Sequence, residues 1–181
     1  MFSVISLGGF GKDVRISENV EIKHPELVFL GNHVAVDAYF ASTTQIRIGD
    51  FAHVSYHCSV TGGPYGSFTA GHFFSMSAGA RVICVTDLEN GDGLVNPIIP
   101  EQFRDKTNSS PVVFGNFVVL GTNAVVMPGV HLGDGVVIGA NSFVKHDCEP
   151  WTVFAGSPAR LIKRYDGTKM RAQAKELGYD L

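Results

Sequence analysis

Residues 120–144 read LGTNAVVMPGVHLGDGVVIGANSFV, with an aliphatic side chain every six positions at Leu120, Val126, Leu132, Ile138 and Val144. An α-helix repeats its faces every 3.6 residues and a strand every 2, so neither explains a beat of six. Six residues are enough for one short strand and its turn. Three such units, eighteen residues, return the chain above its starting point as one triangular coil. The beat residue points into the prism, and stacked coils pair backbone to backbone. The spacing therefore predicts a parallel β-helix.

The beat extends in both directions. Phe114 precedes the run, and upstream lie Leu30, Val36, Ser42, Ile48, Val54 and Val60, then Ala70, Met76 and Val82, with a weaker pair at Ile16 and Ile22. The residue four positions after a beat is usually small or aliphatic, as at Val34, Ile46, Ala52, Cys58, Ala80, Ala124, Val130, Val136, Ser142 and Cys148. A β-sandwich would instead alternate with period two between irregular turns. Two interruptions break the rhythm. Val60 and Ala70 stand ten apart, which predicts a four-residue bulge in GGPYGSF, and Val82 and Phe114 stand thirty-two apart. The second gap predicts a protruding loop over about 88–111, and loops of that length usually serve a function. Residues 1–165 are read as the β-helix domain. Residues 166–181 are read as a short C-terminal helical tail, N-capped by Asp166 or Thr168, stopped at Gly178 and docked on a coil or a neighbour.

Bulk composition narrows the classes. The 181 residues are 45% hydrophobic and 17% charged, with 21 glycines spread along the chain, as a turn-rich repeat requires. A net charge of −3 without a basic tract predicts neither a nucleic-acid nor a membrane-surface partner. The three cysteines, Cys58, Cys84 and Cys148, lack metal-type spacing and are read as reduced thiols of a cytoplasmic protein. The opening MFSVISLGGFGKDVRIS lacks the basic flank of a signal peptide. No run reaches the roughly 18 apolar residues that span a bilayer.

The hexad beat, the protruding loop and the closing segment FAGSPARLIKR (154–164) together resemble the hexapeptide-repeat acyltransferases. That family includes galactoside, maltose and serine O-acetyltransferases and N-acetyltransferases of nucleotide-linked amino sugars. The resemblance runs from Gly11 to Arg164. It implies an all-β, left-handed parallel β-helix, a homotrimer with active sites between adjacent subunits, and acetyl-CoA as co-substrate. It further implies contacts to the coenzyme at Gly121, Thr122, Gly139 and Ala140, where small residues admit the pantetheine. Cationic contacts to its phosphates are implied at Arg160 and Lys163, with Lys145 and His146 standing where the family often has Thr-Lys.

Acyl transfer from a thioester requires a deprotonated nucleophile, which here belongs to the acceptor, so the enzyme must supply a base. O-acetylating relatives carry a histidine just before the long loop, in a T-G-H or T-x-H context. The segment VTDLENG places Asp87 there. A carboxylate ionises well below neutral pH and is a weak base toward a hydroxyl. A gapless alignment puts His57 at the acceptor-site asparagine of galactoside-type enzymes. Two readings remain open: His57 takes the proton while Asp87 orients its ring, or His57 only binds substrate. His72, two residues after its beat, is a third catalytic candidate expected near the same corner. Because an amine needs less help than a hydroxyl, loss of the usual histidine tilts the acceptor toward an amino sugar; the resemblance implies a nucleotide-linked one, of the kind used in surface polysaccharide such as O-antigen. Asn96, Glu101, Phe103 and Arg104 of the loop are available to contact it. The alternatives are a sugar or small-molecule O-acetyltransferase, a non-catalytic scaffold, and a zinc hydratase of the γ-type carbonic anhydrase kind. His53 and His57 lie four apart, but no third ligand stands at matching spacing, so no metal is expected. His24 and His33 are read as surface residues.

Overall fold

The computed structural model describes residues 6–88 and 90–181. The first five residues of the expected domain and apolar opening, and Glu89 of the expected loop, lie outside the described residues. The chain winds into a left-handed three-sided column whose coils pair in parallel. Face 1 runs from Gly9–Phe10 through Val28–Leu30, Gln45–Ile48, Ser67–Ala70 and Val112–Phe114 to His131–Leu132. Face 2 runs from Arg15–Ile16 to Val137–Ile138 and is extended by Thr152–Ala155 and Arg160–Arg164. Face 3 runs from Glu21–Ile22 to Phe143–Val144.

Every beat residue lies over its counterpart. Leu30 pairs with Ile48, Ile48 with Ala70, Ala70 with Phe114, and Phe114 with Leu132. Faces 2 and 3 repeat the pattern from Val36 to Ile138 and from Ser42 to Val144. These residues and the smaller ones four positions later are all buried. Each buried Val, Leu, Ile or Phe contributes about 1.5–3 kcal/mol of apolar transfer energy. Ser42, the polar beat, satisfies its hydroxyl on Thr44 O at 3.3 Å. The three thiols are free and buried, and burial pushes those of Cys84 and Cys148 up to about 12.

Three corners join the faces: corner I between faces 1 and 2, corner II between 2 and 3, and corner III between 3 and 1. At corners I and II the third residue after the beat takes the left-handed conformation. Tyr39, His57, Asn123 and Asn141 do so at corner II, with φ between 55° and 64°. At corner I the same position holds His33, Phe51, Phe73 and Phe117, and Trp151, three residues after the Cys148 that bridges to Leu132, takes it too; non-glycine side chains adopt that conformation at a cost. Ring stacking offsets it: Phe51 and Phe73 lie 5.4 Å apart and nearly parallel, and Phe73 and Phe117 5.0 Å apart. Beside this aromatic column runs a hydrogen-bond ladder. Asn32 donates its main-chain N–H to Asp50 Oδ1, Asp50 to His72 Nδ1, His72 to Asn116 Oδ1, and Asn116 to Asp134 Oδ1.

The C-terminal tail seals corner I. The helix Thr168–Glu176 sets the Arg171 guanidinium over Trp151, and Tyr179 meets Phe51 and Phe73 edge-on while donating its hydroxyl to Asp50 at 2.5 Å. The expected N-cap differs. The cap residue is Gly167, where a Cβ would lie 2.0 Å from the Trp151 ring, and Asp166 serves from one position earlier by accepting the Thr168 N–H at 2.9 Å. Gly178, with φ of 94°, ends the helix as expected.

The two interruptions fall where the beat places them, on the same corner. The coil from Ile48 to Ala70 is four residues longer than eighteen and holds the turn Gly63–Tyr65. The coil from Ala70 to Phe114 carries the excursion, whose base is an antiparallel ribbon of Val85–Asp87 with Thr107–Ser109. The arm thus leaves the column three residues before the expected boundary, because its first strand is paired.

Candidate active site

Corner III opens into a cleft of about 780 Å³ between the Gly62–Tyr65 turn and the base of the arm. The turn is fixed from below, since Gly62 and Gly63 donate their amides to Thr43 Oγ1 at 3.2 and 3.3 Å. The arm forms the opposite wall with Asp87, Glu101, Arg104, Asp105 and Lys106. Three of the residues singled out from sequence, Asp87, Glu101 and Arg104, therefore share one space. The carboxylate of Asp105 is nearly sealed and accepts the amides of Asn90 and Lys106 at 2.9 and 2.7 Å, which shapes the arm. Arg104 is fixed at its backbone by donation to Glu101 O at 3.1 Å and by a bridge to Leu94. Its Nη2 stands 3.9 Å from Asp87 Oδ1. Among the described residues two buried side-chain polar atoms have no hydrogen-bond partner, Arg104 Nε and Thr44 Oγ1, and both belong to this corner. Asn96 is occupied within the arm, accepting the Ile98 amide at 2.8 Å, and the Phe103 ring is exposed.

The three catalytic candidates stand on three different corners. Asp87 lies at corner III. His57 lies at corner II, its exposed ring stacked on Tyr39 at 4.7 Å. The chain by itself does not bring His57 and Asp87 together, so the expected pair is not made within one subunit. His72 lies at corner I rather than beside His57, because its beat, Ala70, belongs to face 1 and that of His57, Val54, to face 2. Its Nδ1 accepts the Asp50 amide at 2.9 Å and its ring meets Tyr179, which gives it a place in the ladder.

The coenzyme candidates divide as well. Gly121, Thr122, Gly139 and Ala140 lie at corner II, and Ala159 donates to Phe143 O there, bringing Arg160 to the same edge. The column itself already demands a glycine at 121, since a Cβ would lie 2.6 Å from Ala140 N. Lys145 and His146 follow face 3 and stand exposed at corner III, while Lys163 pairs with Val153 on the exposed outer strand of face 2. His53 Nε2 lies 2.9 Å from Asp37 Oδ2 on the outside of face 2, and His33 and His24 lie beside Asp13 and Glu26. Among the described residues no three His, Cys, Asp or Glu side chains gather as a metal site, and no helix is long and apolar enough to cross a membrane. Sequence reasoning missed Tyr65 and Lys106 as cleft walls. The available signal was that both interruptions follow beats of face 3.

Residues 111–146 match the family described as bacterial transferase hexapeptide (six repeats). The chain is 30% identical over 155 residues to the dTDP-4-amino-4,6-dideoxy-D-glucose acyltransferase of Escherichia coli, covering 84% of this chain and 79% of that one. It is 33% identical over 142 residues to the putative lipopolysaccharide biosynthesis O-acetyl transferase WbbJ of E. coli K12, covering 77% of this chain and 62% of WbbJ. Among solved structures, AntD, an N-acyltransferase from Bacillus cereus in complex with dTDP and 3-hydroxybutyryl-CoA, superposes with a TM-score of 0.90 at 27% identity, over 96% of this chain and 92% of that one. AntD has also been solved with substitutions at a serine and at an aspartate ten positions further along its chain.

Proposed function

The chain belongs to the hexapeptide-repeat acyltransferases of left-handed β-helix fold, and we propose that it transfers an acyl group from a coenzyme A thioester to the amine of a nucleotide-linked amino sugar. Acetyl-CoA is the simplest such donor. The observation that carries this acceptor is the cleft at corner III, where Asp87 stands in place of the family's histidine and shares the space with the cations Arg104 and Lys106. Asp87 receives the proton of the acceptor's ammonium. The freed nitrogen attacks the thioester carbonyl, the C–N bond forms and the C–S bond breaks; the proton then shed by the nitrogen goes to the departing sulfur, and coenzyme A leaves as the thiol. Ser77 precedes Asp87 by ten positions, the separation of the two substituted residues of AntD, which supports the same assignment.

In this reading the working enzyme is a cyclic trimer. The coenzyme candidates and His57 sit at corner II and Asp87 at corner III, so one chain holds two half-sites. A head-to-tail ring sets unlike surfaces against each other and joins corner II of one copy to corner III of the next. The exposed apolar side chains of Leu94, Ile98 and Phe103 on the arm give that junction a surface to bury. His57 then approaches Asp87 of the neighbouring copy, as base partner or as acceptor contact. A cytoplasmic setting belongs to the same reading, supported by the free, buried thiols and by a coenzyme A substrate.

Thiol release from acetyl-CoA against amino and hydroxy sugars, free and nucleotide-linked, tests the acceptor. Release with nucleotide-linked amino sugars is expected, and release with hydroxy sugars alone would favour the O-acetyl reading that the likeness to WbbJ supports. The divided site is tested by complementation. Asp87→Asn and Gly139→Trp are each expected to be inactive. Activity regained after they are dissociated and reassembled together places their residues in one site across two copies, and a mixture as inactive as its parts would remove the shared site.

A further inference from the structure

Arg104 is poorly satisfied for a cation in a protein wall. Its Nε–H is buried and meets no acceptor among the described residues, and its Nη2 is 3.9 Å from Asp87 Oδ1, an ion pair longer than a hydrogen bond. A guanidinium presents a planar fork matched to two oxygens of a carboxylate or phosphate, and here neither prong is filled. The adjacent Asp105 turns its two oxygens to the backbone amides of Asn90 and Lys106, and among the described residues it makes no ion pair with Arg104. Arg104 cannot leave the wall either: its own N–H is bonded to Glu101 O, and its neighbours Phe103 and Asp105 are bonded through their main chains to Leu94. Lys106 adds a second cation, while Asp87, Glu101 and Asp105 border the same space. A cleft of such mixed charge offers two cations to an anion and a carboxylate to an ammonium. It suits a molecule that is cationic at one end and anionic at the other.

We propose that Arg104, assisted by Lys106, is the specificity-determining clamp for the diphosphate of the acceptor. This rests on the acceptor class proposed above. When such an acceptor enters, two phosphoryl oxygens take the fork of Arg104, and the loose pair with Asp87 is exchanged for one between Asp87 and the acceptor's ammonium. No charge is left uncompensated by the exchange. An amino sugar without phosphate brings only the ammonium, which must compete with Arg104 for Asp87. The resting pair therefore discriminates against the unphosphorylated sugar as well as awaiting the correct one.

The test compares wild type, Arg104→Gln and Arg104→Lys by thiol release with a nucleoside-diphosphate-linked amino sugar and with the same sugar free at its anomeric carbon. The ratio of kcat/KM for the linked over the free acceptor is expected to fall at least tenfold in Arg104→Gln, mainly through KM for the linked acceptor, and to recover in part in Arg104→Lys. An unchanged ratio, whether both values fall together or neither moves, overturns the clamp, because a residue that only holds the arm affects both acceptors alike. Should wild type act on neither sugar, the acceptor reading fails by itself. Calorimetry with thymidine diphosphate and with inorganic pyrophosphate then decides the clamp. Binding weakened at least tenfold by Arg104→Gln supports it, and equal binding, or none to wild type, ends it.

Discussion

Corners I and III are built on the same repeat and treat it in opposite ways. Corner I answers its own polar groups: a side chain on each coil accepts the amide of the coil before, and the aromatic rings stack upon one another beneath the C-terminal tail. Corner III is interrupted in two successive coils and holds both of the buried polar atoms without partners among the described residues. The contrast teaches where to look for chemistry in a repetitive fold. Satisfied periodicity holds the column together, and the groups left over are free to meet a ligand.

The difference should be visible in which measurement each corner disturbs. The largest effect belongs to corner III: Asp87→Asn is expected to lower kcat about 10²–10⁴-fold, the range for loss of a general base, with little change in Tm. A loss below fivefold at saturating substrates would show that Asp87 is not the base. Next comes the aromatic column. Phe73→Ala removes the ring between Phe51 and Phe117 and is expected to destabilise by about 2–3 kcal/mol in urea denaturation, below the full range for a core phenylalanine because the ring is only half-buried. Its control at corner III, Tyr65→Ala, removes an 87% exposed ring and should stay within about 0.5 kcal/mol.

His72 sharpens the comparison further. His72→Leu orphans the Asp50 amide and should destabilise by about 1–3 kcal/mol, whereas His72→Asn restores the kind of rung present at Asn32 and Asn116 and should keep both stability and turnover. A hundredfold loss of kcat in His72→Asn with stability intact would give His72 a catalytic role.

The smallest effect concerns pH. Burial opposes ionisation of Asp50, yet donation from Tyr179 and Asn32 holds its carboxyl below the usual carboxylate range. A lowered folded pKa contributes stability above the unfolded value near 4 and loses it as pH falls through the folded one. Tyr179→Phe should therefore lower the urea midpoint at pH 7, and its difference from wild type should shrink below about pH 4. A difference that stays constant to pH 2.5 would contradict the charge on Asp50.

The column was legible because its requirement is periodic: every inward position must be apolar or small, and Leu30 to Val144 declare this six residues at a time. The aromatic column was not read, although it obeys an equal rule. Phe51, Phe73 and Phe117 are separated by 22 and 44 residues, so the interruptions of corner III hide an eighteen-residue period at corner I. The candidate site was legible by residue type and not by place. The beat says that His57, His72 and Asp87 face outward near a turn. Only counting beats in threes says that the turns differ, since the three residues follow Val54, Ala70 and Val82 on faces 2, 1 and 3. The loose state of Arg104 depends on how the arm folds back against Leu94, which no local pattern encodes.

Ala70 rests on Phe114 in the same parallel register as Leu30 on Ile48, although the first pair stands 44 positions apart and the second eighteen. The solenoid is indifferent to what departs and returns between Ile83 and Ser110. Heredity can accordingly lengthen, shorten or replace that appendage without renegotiating a single stacked pair, so a lineage is free to change its cargo while conserving its spine.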